Sequence, residues 1–211
     1  MKIYLIRHGE SKANVERLFV GNGDVPLTER GLAQARRTAQ ELKDIQVDAI
    51  YSSDLDRAYQ TAMQTATLLN VPVIKDAGLR EINVGKYEFI PHETMRTEYS
   101  DKWNEWLNDF ANATFDGGES VAYLYDRVSK TIKKIAEQNP EKTVFIFSHA
   151  TSIRCFAAYC KGVGVEGAKD EPWVNNASIT QIDYKEGKFE IIEYGRDDFM
   201  GELQQNYSNK G

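Results

Sequence analysis

The chain has 211 residues, 41% hydrophobic and 27% charged, an ordinary globular composition with length for one sizeable core. Its net charge of −6, with no basic run or stripe, argues against a nucleic-acid binder and makes any positive pocket a local feature. No stretch is long and apolar enough to span a membrane, and the N-terminal apolar run is too short for a signal peptide, so the expected location is cytoplasmic.

Ile3-Tyr4-Leu5-Ile6 reads as a buried strand that stops abruptly at Arg7-His8-Gly9-Glu10. A loop rich in Gly, Asn and Asp comes next, from Val20 to Pro26. Thr28 then caps a helix with Leu32, Ala35, Ala39 and Leu42 at helical spacing. A second strand, Val47 to Tyr51, ends in Ser52-Ser53-Asp54, good caps for a helix running to about Leu69. Val71 to Ile74 reads as a short edge strand, where Pro72 is tolerated.

Leu79 to Val84 is a mixed segment that leads into Gly85. From Tyr87 to Gly118 the pattern is irregular and aromatic, with one predicted helix from about Asp101 to Phe110. Its Trp103, Trp106 and Phe110 read as packing residues. Val121, Leu124, Val128, Ile132 and Ile135 mark a long helix. Thr143 to Phe147 is a strand, followed by Ser148-His149 and a helix to about Cys160. Cys155 and Cys160 lie on poorly aligned faces of that helix and read as small buried side chains rather than a disulfide or metal pair. Ser178 to Tyr184 and Lys188 to Tyr194, joined by Glu186-Gly187, form a hairpin. The polar tail after Asp198 is expected to be loose.

Alternating strands and helices predict a three-layer α/β/α sandwich with a mostly parallel central sheet and a small helical insertion covering the strand ends. The expected organisation is one domain over residues 1–211, with 87–118 as the inserted cover. The strand ends near residues 7, 52 and 148 can then share one rim, where open α/β sheets bind ligands. That rim offers Arg7, His8, Arg57 and His149, the last opening a helix whose free N–H groups favour an anion. Two arginines, two histidines and a helix N-terminus suit the several oxygens of a phosphoryl group better than a carboxylate.

The motifs Leu5-Ile6-Arg7-His8-Gly9-Glu10-Ser11 with Asn14, Pro26 to Gly31, Ser52 to Ala62, Leu79-Arg80-Glu81-Ile82 with Gly85, Gly118-Glu119-Ser120 and Ser148-His149 occur in an ordered set over about residues 3–155. In this the chain resembles the histidine phosphatase superfamily, in its phosphoglycerate-mutase-like branch. The resemblance implies that His8 attacks phosphorus to form a phosphohistidine. It implies that Arg7, Arg57 and His149 hold the phosphoryl oxygens, with Asn14 and the Ala150 backbone N–H as further donors. Glu81 would protonate the leaving oxygen and then take a proton from the attacking water. It must be protonated when substrate is bound, a form that a nearby dianionic phosphate favours. No metal or other cofactor is implied, because cationic side chains replace it.

Three departures from the family pattern stand near the substrate mouth: Ala150 where Gly is usual, Phe89 after Tyr87-Glu88 where Gly is common, and Asn22 where an aromatic is frequent. Phe89 suggests a turn that runs differently. The resemblance implies a metal-independent phosphatase acting on a small phosphorylated metabolite, with no nucleic-acid or membrane partner; a homodimer stays open. The alternative is a phosphoglycerate mutase, but the stretch between Glu81 and Glu119 is compact where true mutases carry a longer insertion, and a shorter cover admits water. A non-catalytic phosphate-binding relative would lack the nucleophile or a cradle residue, and none is missing.

Overall fold

The computed structural model describes residues 1–204. In chain order its elements are β1 (Lys2–Arg7), α1 (Lys12–Glu16), β2 (Leu18–Phe19), α2 (Glu29–Leu42), β3 (Ala49–Ser52), α3 (Asp56–Leu69), β4 (Val73–Lys75), β5 (Ile90–Pro91), α4 (His92–Glu98), α5 (Ser100–Asn108), α6 (Val121–Gln138), β6 (Thr143–Ser148), α7 (Ala150–Lys161), β7 (Ile179–Lys185) and β8 (Lys188–Arg196). The main sheet runs β4-β3-β6-β1-β7-β8. The first four strands in that order are mutually parallel, and the β7–β8 hairpin adds an antiparallel edge beside β1.

The central strands are apolar on both faces, as strands covered by helices on both sides must be. Ile3 and Leu5 of β1 and Val144 and Ile146 of β6 pack into a core with Val128 and Ile132 of α6 and Ile153 and Phe156 of α7. The alternate residues, Ile6, Phe145 and Phe147, face the other way, into a core with Leu42 of α2 and Ala62 and Ala66 of α3. The period of two along each strand thus feeds two cores and makes three layers.

Thr28 caps α2 through Gly31 N, and Ser120 caps α6 through Tyr123 N at 3.0 Å. The Ser52-Ser53-Asp54 run does not cap α3 as expected. The N-cap is Leu55, which makes no side-chain bond, and the Asp56 N–H is taken by Asp24 Oδ1 at 2.8 Å. The serines and Asp54 are engaged elsewhere: Ser53 reaches His149, and Asp54 accepts two bonds from Arg80 at 2.6 Å each.

The aromatic segment holds two helices, α4 and α5, rather than the single one expected. Only Met95 of α4 is buried, so that helix has no apolar stripe to read. Trp106 and Phe110 are buried, and Trp106 meets Phe19, Phe110 and Phe115 with ring centroids at 5.6, 4.8 and 5.6 Å. β5 pairs antiparallel with β2, tying this segment to the loop after β1. Both cysteines are free, and burial pushes each thiol up to about 12. The tail expected to be loose is ordered at least through Leu203. Asp198–Leu203 forms a 3₁₀ segment that docks on α2, with Met200 buried and Arg37 Nε donating to Phe199 O at 2.7 Å. The rest of that tail, residues 205–211, lies outside the described residues.

Candidate active site

The parallel register of three adjacent strands builds the site. Arg7 of β1 sits opposite Ser148 of β6, and Ser52 of β3 opposite Phe147. The ladder continues one residue further, His8 N donating to Ser148 O at 3.0 Å and Ser53 N to Phe147 O at 2.9 Å. His8, Ser53 and His149 therefore emerge side by side from the carboxyl ends of neighbouring strands. The two imidazole centroids lie 5.2 Å apart.

His8 is buried, and its Nδ1 lies 2.7 Å from Gly9 O. A carbonyl can only accept, so Nδ1 carries the hydrogen and Nε2 keeps its lone pair. Burial first, then the Arg57 and Arg7 charges, hold the His8 pKa well below the ordinary 6.5, against a smaller opposing effect of the Gly9 bond. His8 is thus neutral at pH 7, the form a nucleophile needs. Gly9 lies against Gly31, where a side chain would strike the Gly31 carbonyl, and its N–H donates to Thr61 Oγ1 at 3.0 Å. Asn176 Nδ2 and Ala177 N both donate to His8 O, at 3.0 and 3.1 Å.

His149 caps α7 from outside the helix and is fully buried. Its Nε2 is 2.9 Å from Ser53 Oγ, which also accepts from Leu55 N at 3.3 Å. Where the Ser53 hydroxyl donates to Nε2, the imidazole hydrogen sits on Nδ1. That Nδ1 is buried and meets no protein partner among the described residues. Burial, then Arg57, then the His8 ring keep His149 well below 6.5 as well, so the ring is neutral.

Arg7 and Arg57 are buried guanidiniums aligned by backbone carbonyls. Arg7 Nη1 donates to Val174 O at 2.6 Å. Arg57 Nη1 and Nη2 donate to Gly23 O and Gly21 O, at 2.9 and 2.6 Å. Burial lowers Arg57 to about 10, with Glu81, Glu88 and Asp24 opposing. Asn14 stands at N3 of α1, and its Oδ1 accepts from Ser11 N, Ser11 Oγ and Asn176 Nδ2 at 3.0, 3.1 and 3.2 Å, which turns its amide NH₂ to the other side.

Glu81 is buried, with Oε1 accepting from Ile82 N at 2.9 Å and Oε2 from Thr151 N at 3.0 Å. The second bond sets it at the N-terminal turn of α7, two residues from His149 and beside Ala150. Its backbone is gripped by Arg127, which donates to Gly78 O, Arg80 O and Glu81 O at 3.1 Å each while pairing with Glu119 at 2.8 Å.

All seven residues singled out in the sequence thus lie around the carboxyl ends of β1, β3 and β6. Ser53, Thr61, Glu88, Arg127 and Asn176 support these residues. Ser53 reads as a helix cap in the sequence, and the others bind backbone groups distant in the chain, which no local pattern encodes. Phe89 takes φ 65°, the region glycine favours, so the backbone makes a glycine-type turn without glycine. The third histidine, His92, stacks near Phe19 and Trp103 instead of joining this cluster.

Two neutral imidazoles, two buried guanidiniums, a carboxyl group and a helix N-terminus thus share one rim. The chain belongs to the histidine phosphatase superfamily (branch 1), whose family model matches residues 3–197. Phosphoserine phosphatase 1 of Hydrogenobacter thermophilus is 34% identical over 204 residues, 96% of each chain. The "Probable phosphoglycerate mutase GpmB" of Escherichia coli (strain K12 / DH10B) is 33% identical over 88% of this chain and 86% of its own. Among solved structures, the alpha-ribazole phosphatase from Shigella flexneri superposes with a TM-score of 0.85 at 28% identity, over 93% of this chain and 96% of its own.

Proposed function

We propose that the protein is a cytoplasmic phosphatase that hydrolyses a small phosphate monoester through a phosphohistidine on His8. The observation that carries this reading is the hydrogen bond from His8 Nδ1 to Gly9 O, which leaves the Nε2 lone pair as the attacking group, beside the His149 ring. Nε2 attacks phosphorus as the ester P–O bond breaks. Glu81 gives its proton to the departing oxygen. Arg7, Arg57, the His149 Nδ1–H, the Asn14 amide and the Ala150 N–H hold the three non-bridging oxygens, where charge spreads in the transition state. Water then attacks phosphorus, Glu81 takes its proton, the P–N bond breaks and His8 regains its lone pair. The arginines supply the charge neutralisation that a metal supplies elsewhere. Residues 87–118 act as a cover, short enough to admit the attacking water.

The similarity to phosphatases over nearly the whole chain supports hydrolysis, and the similarity to GpmB makes mutase activity the second reading. Phosphate release from p-nitrophenyl phosphate in the presence of a chelator tests the proposal. The expected result is release by the wild type and none by His8→Ala. Equal release by the variant would remove His8 from the mechanism, and strict metal dependence would overturn the chemistry. Interconversion of 2- and 3-phosphoglycerate faster than phosphate release would favour the mutase reading.

A further inference from the structure

Phe89 takes a backbone conformation rare for its residue type. Its φ of 65° lies in the left-handed region that bulky L-residues rarely adopt, because Cβ crowds the backbone there. Such strain persists only where the surroundings over-determine it, and it concentrates at functional sites. The surroundings here are specific. Phe89 N donates to Phe19 O at 2.9 Å. Its neighbour Glu88 accepts from Gly21 N and Asn22 N at 3.0 and 2.7 Å. The carbonyls of Gly21 and Gly23 in turn receive the Arg57 guanidinium.

The ring is not spent on the core. Phe89 is 47% exposed, whereas Phe110 and Phe115 of the same segment are 2% and 4% exposed. It lies against Gly23, where a Cβ would overlap the ring and approach Glu88 Oε2 to 2.9 Å. A glycine on one side and a strained backbone on the other hold an aromatic face, half in water, on the loop that aligns a phosphate-cradle arginine. Burial does not account for that arrangement, since half of the ring stays wet.

Resting on the phosphatase reading, we propose that Phe89 is a specificity-determining residue. Its ring contacts the non-phosphorylated part of the leaving group and selects phosphate esters that carry an apolar or planar group over small polyol or hydroxy-acid phosphates. The contact is made by substrate in the ground state as well as in the transition state, so it acts on KM more than on kcat.

The test compares 1-naphthyl phosphate with glycerol 2-phosphate in the wild type, Phe89→Gly and Phe89→Asn. Glycine and asparagine both accept the left-handed conformation, so neither variant needs the turn to rearrange. The expected result is a loss of at least about fivefold in kcat/KM for the naphthyl ester in both variants, carried by KM. For glycerol 2-phosphate, kcat/KM should stay within about twofold, and Tm should hold or rise as strain is relieved. Parallel losses on both esters, or a lowered Tm with an unchanged ester preference, would show that Phe89 serves the turn alone and overturn the assignment. An unchanged preference with full activity overturns it too. A wild type that turns over neither ester sinks the phosphatase reading and this assignment with it, whereas turnover with an unaltered preference in the variants sinks the assignment alone.

Discussion

His8 and His149 are both buried and neutral, and the bonded nitrogen of each meets a different partner. Gly9 O fixes a lone pair on His8 Nε2, whereas Ser53 Oγ holds His149 Nε2 and leaves Nδ1 without a partner among the described residues. The pH dependence of stability comes from the same burial. Both histidines stay neutral in the folded state well below 6.5, while in the unfolded chain they take up protons near that value. Their contribution to stability is therefore full above about pH 6.5 and is lost as pH falls below it. Thermal denaturation at about pH 7.5 and about pH 5 should show Tm falling with acid, and His149→Asn should flatten that fall. An equally steep fall in the variant would exclude His149 as a source. Glu81 sets the second residue-scale expectation. Glu81→Gln should slow an alkyl phosphate by about 10²-fold or more while sparing p-nitrophenyl phosphate, whose departing oxygen needs no proton. Equal losses on the two esters would refute the general-acid role. His8 and His149 are legible in the sequence because they sit directly at a strand end and before a helix start, and Glu81 through its place in Leu79-Arg80-Glu81-Ile82. Ser53 is not legible in its role, since a serine before a helix reads as a cap until the neighbouring strand brings an imidazole to it.

The strands and the long helices declare themselves by period, and their ends set the site. α4 escapes notice because one buried residue makes no stripe, and Asp198–Leu203 because a short polar stretch docks through backbone carbonyls. That docking reaches the site. Gln34 Nε2 donates to Leu203 O at 3.0 Å while Gln34 Oε1 accepts from Glu10 N at 2.8 Å, two residues past His8. Met200, 3% exposed, is the apolar anchor of the segment. Met200→Ala should cost about 2–5 kcal/mol by truncating a buried side chain, with kcat/KM at 25 °C little changed. A denaturant titration reads the loss directly. A midpoint equal to that of the wild type would mean that the segment contributes nothing to the fold.

At the scale of the whole molecule, a chain of net charge −6 gathers Arg7 and Arg57 into one buried cup. An anion held by both guanidiniums binds the folded chain and not the unfolded one, so phosphoryl analogues should stabilise the folded state. Orthovanadate at about 100 times its Kd should add about 2.7 kcal/mol, seen as a rise in Tm, and Arg57→Ala should weaken the response. A Tm indifferent to vanadate would count against the cup as a phosphoryl site. No helix among the described residues is long and apolar enough to cross a membrane. By itself the sequence determined the alternation of strands and helices and the parallel sheet, because those depend on local period; Arg7, His8, Arg57 and His149 are read from the residue types at and after strand ends, and Asn14, Glu81 and Ala150 from the ordered motifs. Only the tertiary structure decided which nitrogen of each imidazole is free, which carbonyls aim the arginines, and that Phe89 is forced into a left-handed turn against Gly23. Those outcomes depend on groups tens of residues apart meeting across the sheet, and no local pattern in the chain records such a meeting.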